Sequence, residues 1–195
     1  CIATDSEYLQ LINLYNGTRS TLETGSSTVN IVKSCPNNNL YVAGSKTGPI
    51  TLINDKGQKS VFRGHKFSIE AFDFTSDSRT LISGDKHGSI SMLVNFKKPS
   101  KLPNWTFKNG QIYDICISKR TNAMIIACGE QLAQYDLGET KVTNFLHFGE
   151  CQSAIFSPYT DSLIAIGGKS GDLFLFDPKS NQIINQISFE NQITA

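Results

Sequence analysis

The chain has 195 residues, of which 39% are apolar, and its formal net charge is +1 at pH 7. This composition suits one globular domain with a real core, and the near-neutral charge argues against a dedicated nucleic-acid binder, which normally has a large basic excess. No apolar run approaches the roughly 18 residues that a membrane-spanning helix needs, so we expect no membrane span.

Short apolar runs separated by polar turns follow one another along the whole chain. Three strands are predicted at the start, with the sequences CIATD, LQLINL and STLE. Four longer sets follow, and their first strands read VNIVKS, IEAFDF, IYDICI and SAIFS. In the clearest set the later strands read TLISG, SISMLV and, after a longer loop, NWTFKN. No amphipathic helical pattern of about ten residues occurs, so we predict an all-β fold.

Pairs of glycines four residues apart recur, and each pair precedes an alternating apolar strand. The pairs are Gly44 and Gly48, Gly84 and Gly88, and Gly167 and Gly171. The first two pairs are 40 residues apart, and a weaker copy begins at Cys128. A period of this length indicates a stack of similar modules. Because a small antiparallel sheet with two apolar faces needs a similar sheet on either side, the repeat predicts a β-propeller.

Several short motifs carry a family resemblance. The Gly64-His65 dipeptide, the strand ending at Phe156 to Pro158 and the closing pair Phe176-Asp177 resemble WD-repeat proteins. The resemblance implies four-stranded antiparallel blades. We expect the chain to form an incomplete propeller, about four and three-quarter blades of a larger one. The expected segments are 1–25 (a partial blade), 26–64, 65–109, 110–149 and 150–190.

The resemblance is incomplete at the buried hydrogen-bonded network that the family builds in each blade from His, Ser or Thr, Asp and Trp. Here His65 and Ser83 match two of those positions, and His87 stands where the family usually has the Asp. The single Trp, Trp105, lies elsewhere in the repeat. A propeller family without this network is therefore an open alternative.

Lysines recur at one position of the aligned hairpins, and they suggest a binding surface. Lys46, Lys86 and Lys169 are equivalent, and in a propeller such turns emerge on one face. Arg63, Lys66 and His87 are predicted to lie beside them. We interpret this loop face as a docking surface for acidic protein segments, since charge complementarity speeds and orients encounter.

A second candidate surface is the segment 95–105, which lengthens one repeat and is expected as a loop on the opposite face. It carries Lys97, Lys98 and Lys101 around two prolines, followed by Trp105. Insertions that depart from the repeat length often mark contact sites in repeat proteins.

These features favour a non-enzymatic scaffold, a subunit of a multiprotein complex, with no cofactor, metal or small-molecule substrate. One alternative is a propeller hydrolase or lactonase, for which the first strands supply Glu70, Asp73 and Asp114. Another is binding of phosphoinositide or nucleic acid through the basic loop face. The five cysteines are odd in number and lack metal-ligand spacing, which predicts free thiols in a reducing compartment, the cytoplasm or nucleus.

Overall fold

In a computed structural model, the chain is an all-β protein built from consecutive antiparallel sheets. The structure describes residues 2–3, 6–25, 27–37, 39–103, 105, 110–147 and 149–191. Within these ranges there is no helix. The predictions of an all-β chain and of four-stranded antiparallel sheets are therefore confirmed. No helix in the described ranges has the length and apolar character needed to cross a membrane.

Nineteen strands in the described ranges form five sheets, numbered I to V in chain order. Sheet I contains three strands, β1 (Ile2–Ala3), β2 (Tyr8–Ile12) and β3 (Arg19–Glu23). Sheet II contains β4 (Val29–Ser34), β5 (Leu40–Ser45), β6 (Pro49–Asn54) and β7 (Lys59–Arg63). Sheet III contains β8 (Ile69–Phe74), β9 (Thr80–Asp85), β10 (Ile90–Val94) and β11 (Pro99–Lys101).

Sheets IV and V repeat the same order, in which each strand pairs with the next one along the chain. Sheet IV contains β12 (Ile112–Ile117), β13 (Ala123–Cys128), β14 (Gln131–Asp136) and β15 (Lys141–His147). Sheet V contains β16 (Cys151–Phe156), β17 (Ile164–Gly168), β18 (Asp172–Asp177) and β19 (Gln182–Ser188).

Consecutive sheets pack face to face, with their first strands side by side. The strands β4, β8, β12 and β16 contact one another in that order. Each of the four apolar clusters lies between two consecutive sheets. Between sheets I and II it includes Leu9 and Ile53, and between sheets IV and V it includes Ile125 and Phe174. Burial of apolar side chains between sheets therefore stabilises the stack.

The repeated glycine pairs have two separate structural roles. Gly44 lies where the first strand of the next sheet approaches, and a Cβ there would be 2.9 Å from Ile69 Cγ2. Gly84 has the same place, and a Cβ there would overlap Ile112. The second glycine of each pair sits in a turn with positive φ, which is 105° at Gly48 and 82° at Gly88. A glycine tolerates that conformation without a Cβ clash.

The fourth strand of sheet III corrects one expectation. It is formed by Pro99–Lys101, within the segment predicted to be a loop, and Lys101 pairs with Ser91. Residues 104 and 106–109 of the predicted strand NWTFKN lie outside the described residues. The chain returns early because Asn95 and Phe96 adopt positive φ values of 50° and 53°, which makes a tight turn directly after β10.

Candidate functional site

Each four-stranded sheet carries a β-bulge at the same place in its first strand. The pairing register shifts between Val29 and Ile31 and at the equivalent points of β8, β12 and β16. The extra residues in the four bulges are Asn30, Glu70, Tyr113 and Gln152. A bulge turns a side chain out of the regular alternation, and bulges are frequent near functional sites. Here they bring four polar side chains to one end of the row of first strands.

The same end of sheets II, III and V carries the turns 45–48, 85–88 and 168–171, and we call it the hairpin end. In each sheet the turn lies against the segment that enters the first strand. The backbone N–H groups of Lys46, Lys86 and Lys169 donate to the carbonyls of Thr28, Ser68 and Glu150, all at 2.9 Å. The three lysines therefore occupy equivalent positions relative to their sheets, as the alignment of the hairpins predicts.

Lysines from two sheets meet around one open cleft at the hairpin end. The cleft has a volume of about 570 Å³, and Lys46, Lys66 and Lys86 line it together with His87. The bulged residue Glu70 lines the inner wall and accepts a hydrogen bond of 3.2 Å from the side chain of Asn30. We call this cavity the lysine cleft. It combines exposed positive charge with a single carboxylate.

Lys169 and Arg63 are placed differently from the residues of the lysine cleft. Lys169 Nζ lies 2.8 Å from Glu150 Oε2, and this hydrogen bond and charge raise the pKa of the lysine. Arg63 and Lys66 both line a neighbouring pocket, which is described below. The lysines thus form a cluster between sheets II and III, and the third hairpin contributes a paired lysine.

A buried network beside the lysine cleft corrects the predicted partner of His65. The ring Nδ1 lies 3.1 Å from Asp85 Oδ2, and Nε2 lies 2.7 Å from Ser83 Oγ. Asp85, and not position 87, therefore supplies the carboxylate. Its other oxygen accepts the N–H groups of His87 and Ser89, at 2.9 and 3.0 Å. Burial opposes ionisation of Asp85, but the hydrogen bonds from His65 and the turn prevail and lower its pKa.

The order Ser83, His65, Asp85 matches the contacts of a serine-hydrolase triad, in which the Ser bonds one ring nitrogen and the Asp the other. A nucleophile must reach its substrate, however, and Ser83 is only 1% exposed. Its hydroxyl also lies 3.4 Å from the carbonyl of Ser91, within the sheet. None of the cavities described here is lined by Ser83. The three side chains therefore fix the turn 85–88 against the loop that carries Lys66.

Trp105 and Lys101 lie at the hairpin end, which corrects the expectation that the whole segment 95–105 is on the opposite face. Trp105 Nε1 donates to the carbonyl of Gly88 at 3.0 Å, and both residues line a pocket of about 430 Å³. We call it the Trp105 pocket. Lys97 and Lys98 are exposed and precede β11, at the other end of the sheet. The segment 95–105 therefore contributes residues to both ends of sheet III.

The acidic residues of the first strands are involved in contacts between sheets. Asp73 lies 2.7 Å from Lys33 Nζ of sheet II and 3.1 Å from Lys119 Nζ, which follows β12 of sheet IV. It also accepts the N–H of Ile117 at 2.9 Å. Burial opposes its ionisation, but the two lysines and the hydrogen bonds together lower the pKa of Asp73. The carboxylate therefore joins three sheets.

Asp114 makes a similar contact one sheet further on. It accepts the N–H of Ala154 and the hydroxyl of Ser153, both at 3.0 Å, and burial raises its pKa. With Glu70 it lines an inner cavity of about 470 Å³. In the described part of the chain, no group of three or more His, Cys, Asp or Glu side chains is placed to hold a metal ion.

No protein-family model matches the sequence, and no curated protein shows significant similarity to it.

Proposed function

We propose that the chain is part of a WD-like β-propeller and acts as a non-enzymatic platform for protein–protein contacts within a multisubunit complex. The serial order of the sheets supports the propeller, because their first strands lie side by side and each core is shared by two sheets. Radial stacking is the arrangement that covers both faces of every such sheet. The resemblance of the Gly64-His65 motif to WD repeats points the same way.

The observation that carries the docking function is the convergence of Lys46, Lys66 and Lys86 around one cleft. They come from two hairpins and the loop before β8, so the clustering depends on how sheets II and III pack. The His65 network beside them holds that loop in place. A concave site with several cations attracts an anionic segment and fixes its orientation. Acidic segments of partner subunits are the expected ligands.

The described cysteines support a reducing location for this platform. Cys35, Cys116, Cys128 and Cys151 are free thiols, and burial raises the pKa of Cys151 to about 11 and that of Cys128 to about 12. Such thiols are unreactive and serve as small apolar side chains. The cytoplasm or nucleus is the location that this proposal assigns.

Charge reversal tests the docking function. The variant K46E/K66E/K86E, carrying an affinity tag, is expected to lose partners that the wild type retains when it is purified from cells that naturally express it. Each lysine is exposed, so the free energy of unfolding should change by no more than about 0.5 kcal/mol per site.

The control is K97E/K98E, which reverses two exposed lysines at the other end of sheet III. It should retain the same partners, and binding to the wild type should weaken as salt rises, because exposed charges are screened. Loss of partners in the control, with full retention in the cleft variant, would assign docking to the turn before β11. Retention of partners by both variants would show that the contact does not use either surface.

A further inference from the structure

The lysine cleft is continuous with the Trp105 pocket. Lys66, Phe67 and His87 line both cavities, so the two share one wall. Phe67 and His87 stack on each other with ring centroids 3.8 Å apart, and Phe67 is 44% exposed. The stacked pair therefore separates a basic compartment from the pocket beside it.

The Trp105 pocket combines an apolar wall with polar lining residues, which include His65 and Asp85. Ile90, Pro99, Leu102 and Trp105 line it. The indole N–H donates to Gly88 at 3.0 Å, and the N–H of Leu102 donates to Ile90 at 3.3 Å, so both sides are tied to sheet III. Arg63 and Lys101 lie at the same pocket. A pocket with an apolar wall and basic residues beside it can take an apolar side chain from a segment that also carries negative charge.

We propose that the ligand of this end is a peptide segment with two elements, an acidic residue for the lysine cleft and an apolar anchor for the Trp105 pocket. This inference rests on the proposed docking function and specifies its ligand. The acidic element makes encounter fast and salt-dependent. The anchor supplies most of the affinity, since buried apolar side chains dominate binding energies while rim charges contribute mainly to the association rate.

A peptide fits these walls better than a nucleic acid does. Single-stranded nucleic acid binds by stacking bases on open aromatic faces along a basic groove. Here one face of Phe67 is covered by His87, so this ring offers only one face for stacking. Glu70 also places a carboxylate on the cleft wall, which disfavours a run of phosphates.

The probe is an array of synthetic peptides, each with a block of glutamates and one leucine at increasing separation, tested on the immobilised protein. We expect one separation to bind best. Replacing its leucine with serine should weaken binding about tenfold or more, which is the effect expected when a buried leucine loses its contacts. Replacing its glutamates with glutamines should slow association and remove the salt dependence of binding. A short oligouridine serves as the competing polyanion.

Two protein variants test the acidic element and the apolar anchor of the ligand independently. K46E/K86E alters only the lysine cleft and should abolish the response to glutamates. S100F places a ring in the Trp105 pocket from an exposed strand position and should abolish the preference for leucine. Circular dichroism and a thermal melt check that both variants fold. K97E/K98E should bind as the wild type does.

The outcomes distinguish an error in the proposed apolar anchor from an error in the proposed docking function. If leucine is irrelevant but glutamates and K46E/K86E matter, the anchor is wrong and the docking function stands. If neither glutamates nor K46E/K86E matter, both are wrong. If oligouridine displaces every peptide and binds more tightly, the cleft is a polyanion site and the peptide assignment is overturned.

Discussion

Replacement of Asp73 is the sharpest test of how the sheets are held together. Its side chain is only 5% exposed, yet it bonds Lys33 from sheet II and Lys119 from sheet IV. It also accepts the backbone N–H of Ile117, which is itself buried. Asp73→Asn removes the charge and preserves the shape, whereas Asp73→Ala removes every contact.

The two substitutions should differ in size for a physical reason. The lysine side chains are 46% and 49% exposed, so water can solvate them when the carboxylate is lost. Each such pair contributes about 0.2–1 kcal/mol, and Asp73→Asn should therefore cost about 1–2 kcal/mol. Asp73→Ala also leaves the Ile117 N–H without its partner, which adds about 1–3 kcal/mol. We expect a total of about 2–5 kcal/mol.

Urea denaturation at one fixed protein concentration measures these differences, since self-association makes apparent stability depend on concentration. A double-mutant cycle with Lys33→Met isolates one ion pair. Equal destabilisation by Asp73→Asn and Asp73→Ala would refute the importance of the bond to Ile117. A coupling energy of zero with Lys33→Met would show that this ion pair contributes nothing.

The dependence of stability on pH provides a second test, because Asp73 and Asp114 should change the free energy of unfolding in opposite directions. Because the folded pKa of Asp73 is lowered from 3.8, its contribution is present above that value and is lost as pH falls through the folded pKa. The stability difference between wild type and Asp73→Asn should shrink in acid. Asp114 has a raised pKa, so its ionisation opposes folding above 3.8, and the wild type should gain stability relative to Asp114→Asn as pH falls. The same sign for both would contradict these assignments.

Three further substitutions test other contacts. His65→Ala should lower the free energy of unfolding in urea by about 2–4 kcal/mol, because it leaves the buried carboxylate of Asp85 without its side-chain partner. A loss under about 0.5 kcal/mol would show that this network does not stabilise the fold. Gly84→Ala should lower the free energy of unfolding by about 1–3 kcal/mol, because the new Cβ would force sheets III and IV apart. The control Gly168→Ala should melt like the wild type, because its Cβ would come no closer than 3.5 Å to any neighbouring atom. Ile155→Asp tests whether sheet V forms a contact between copies of the chain, because Ile155 is 58% exposed and lies in register with the apolar residues Ala165 and Leu175. Any self-association seen for the wild type in sedimentation velocity should weaken in this variant, and unchanged sedimentation would show that this face is not the contact.

The repeat was visible in the sequence because glycine positions and strand alternation are local signals. Gly48 and Gly88 mark turns that need positive φ, and the alternation in IEAFDF predicts a strand, although the structure buries five of its six residues rather than one face only. These features depend on a few neighbouring residues, and the predicted first strands agree with the observed ones. The equivalent placing of Lys46 and Lys86 follows from the same alignment.

Other features depend on contacts between distant residues, and the sequence did not reveal them. The bulge at Glu70 is visible only in the pairing register, since the residue type is ordinary. The family pattern places its Asp two residues later and so does not predict Asp85, whose carboxylate the end of β9 brings to His65. The strand Pro99–Lys101 begins with a proline, which is a poor signal for a strand except at an edge, and β11 is an edge strand.

The sharing of each apolar core by two sheets has a consequence for how the protein unfolds. A sheet that opens exposes the facing half of its neighbour's core, so the sheets behave as coupled sites along a line. Sheets II, III and IV have a described core on both sides, whereas every residue of β19 in sheet V is exposed. Amide hydrogen exchange should therefore be slowest in β5, β9 and β13 and fastest in β19.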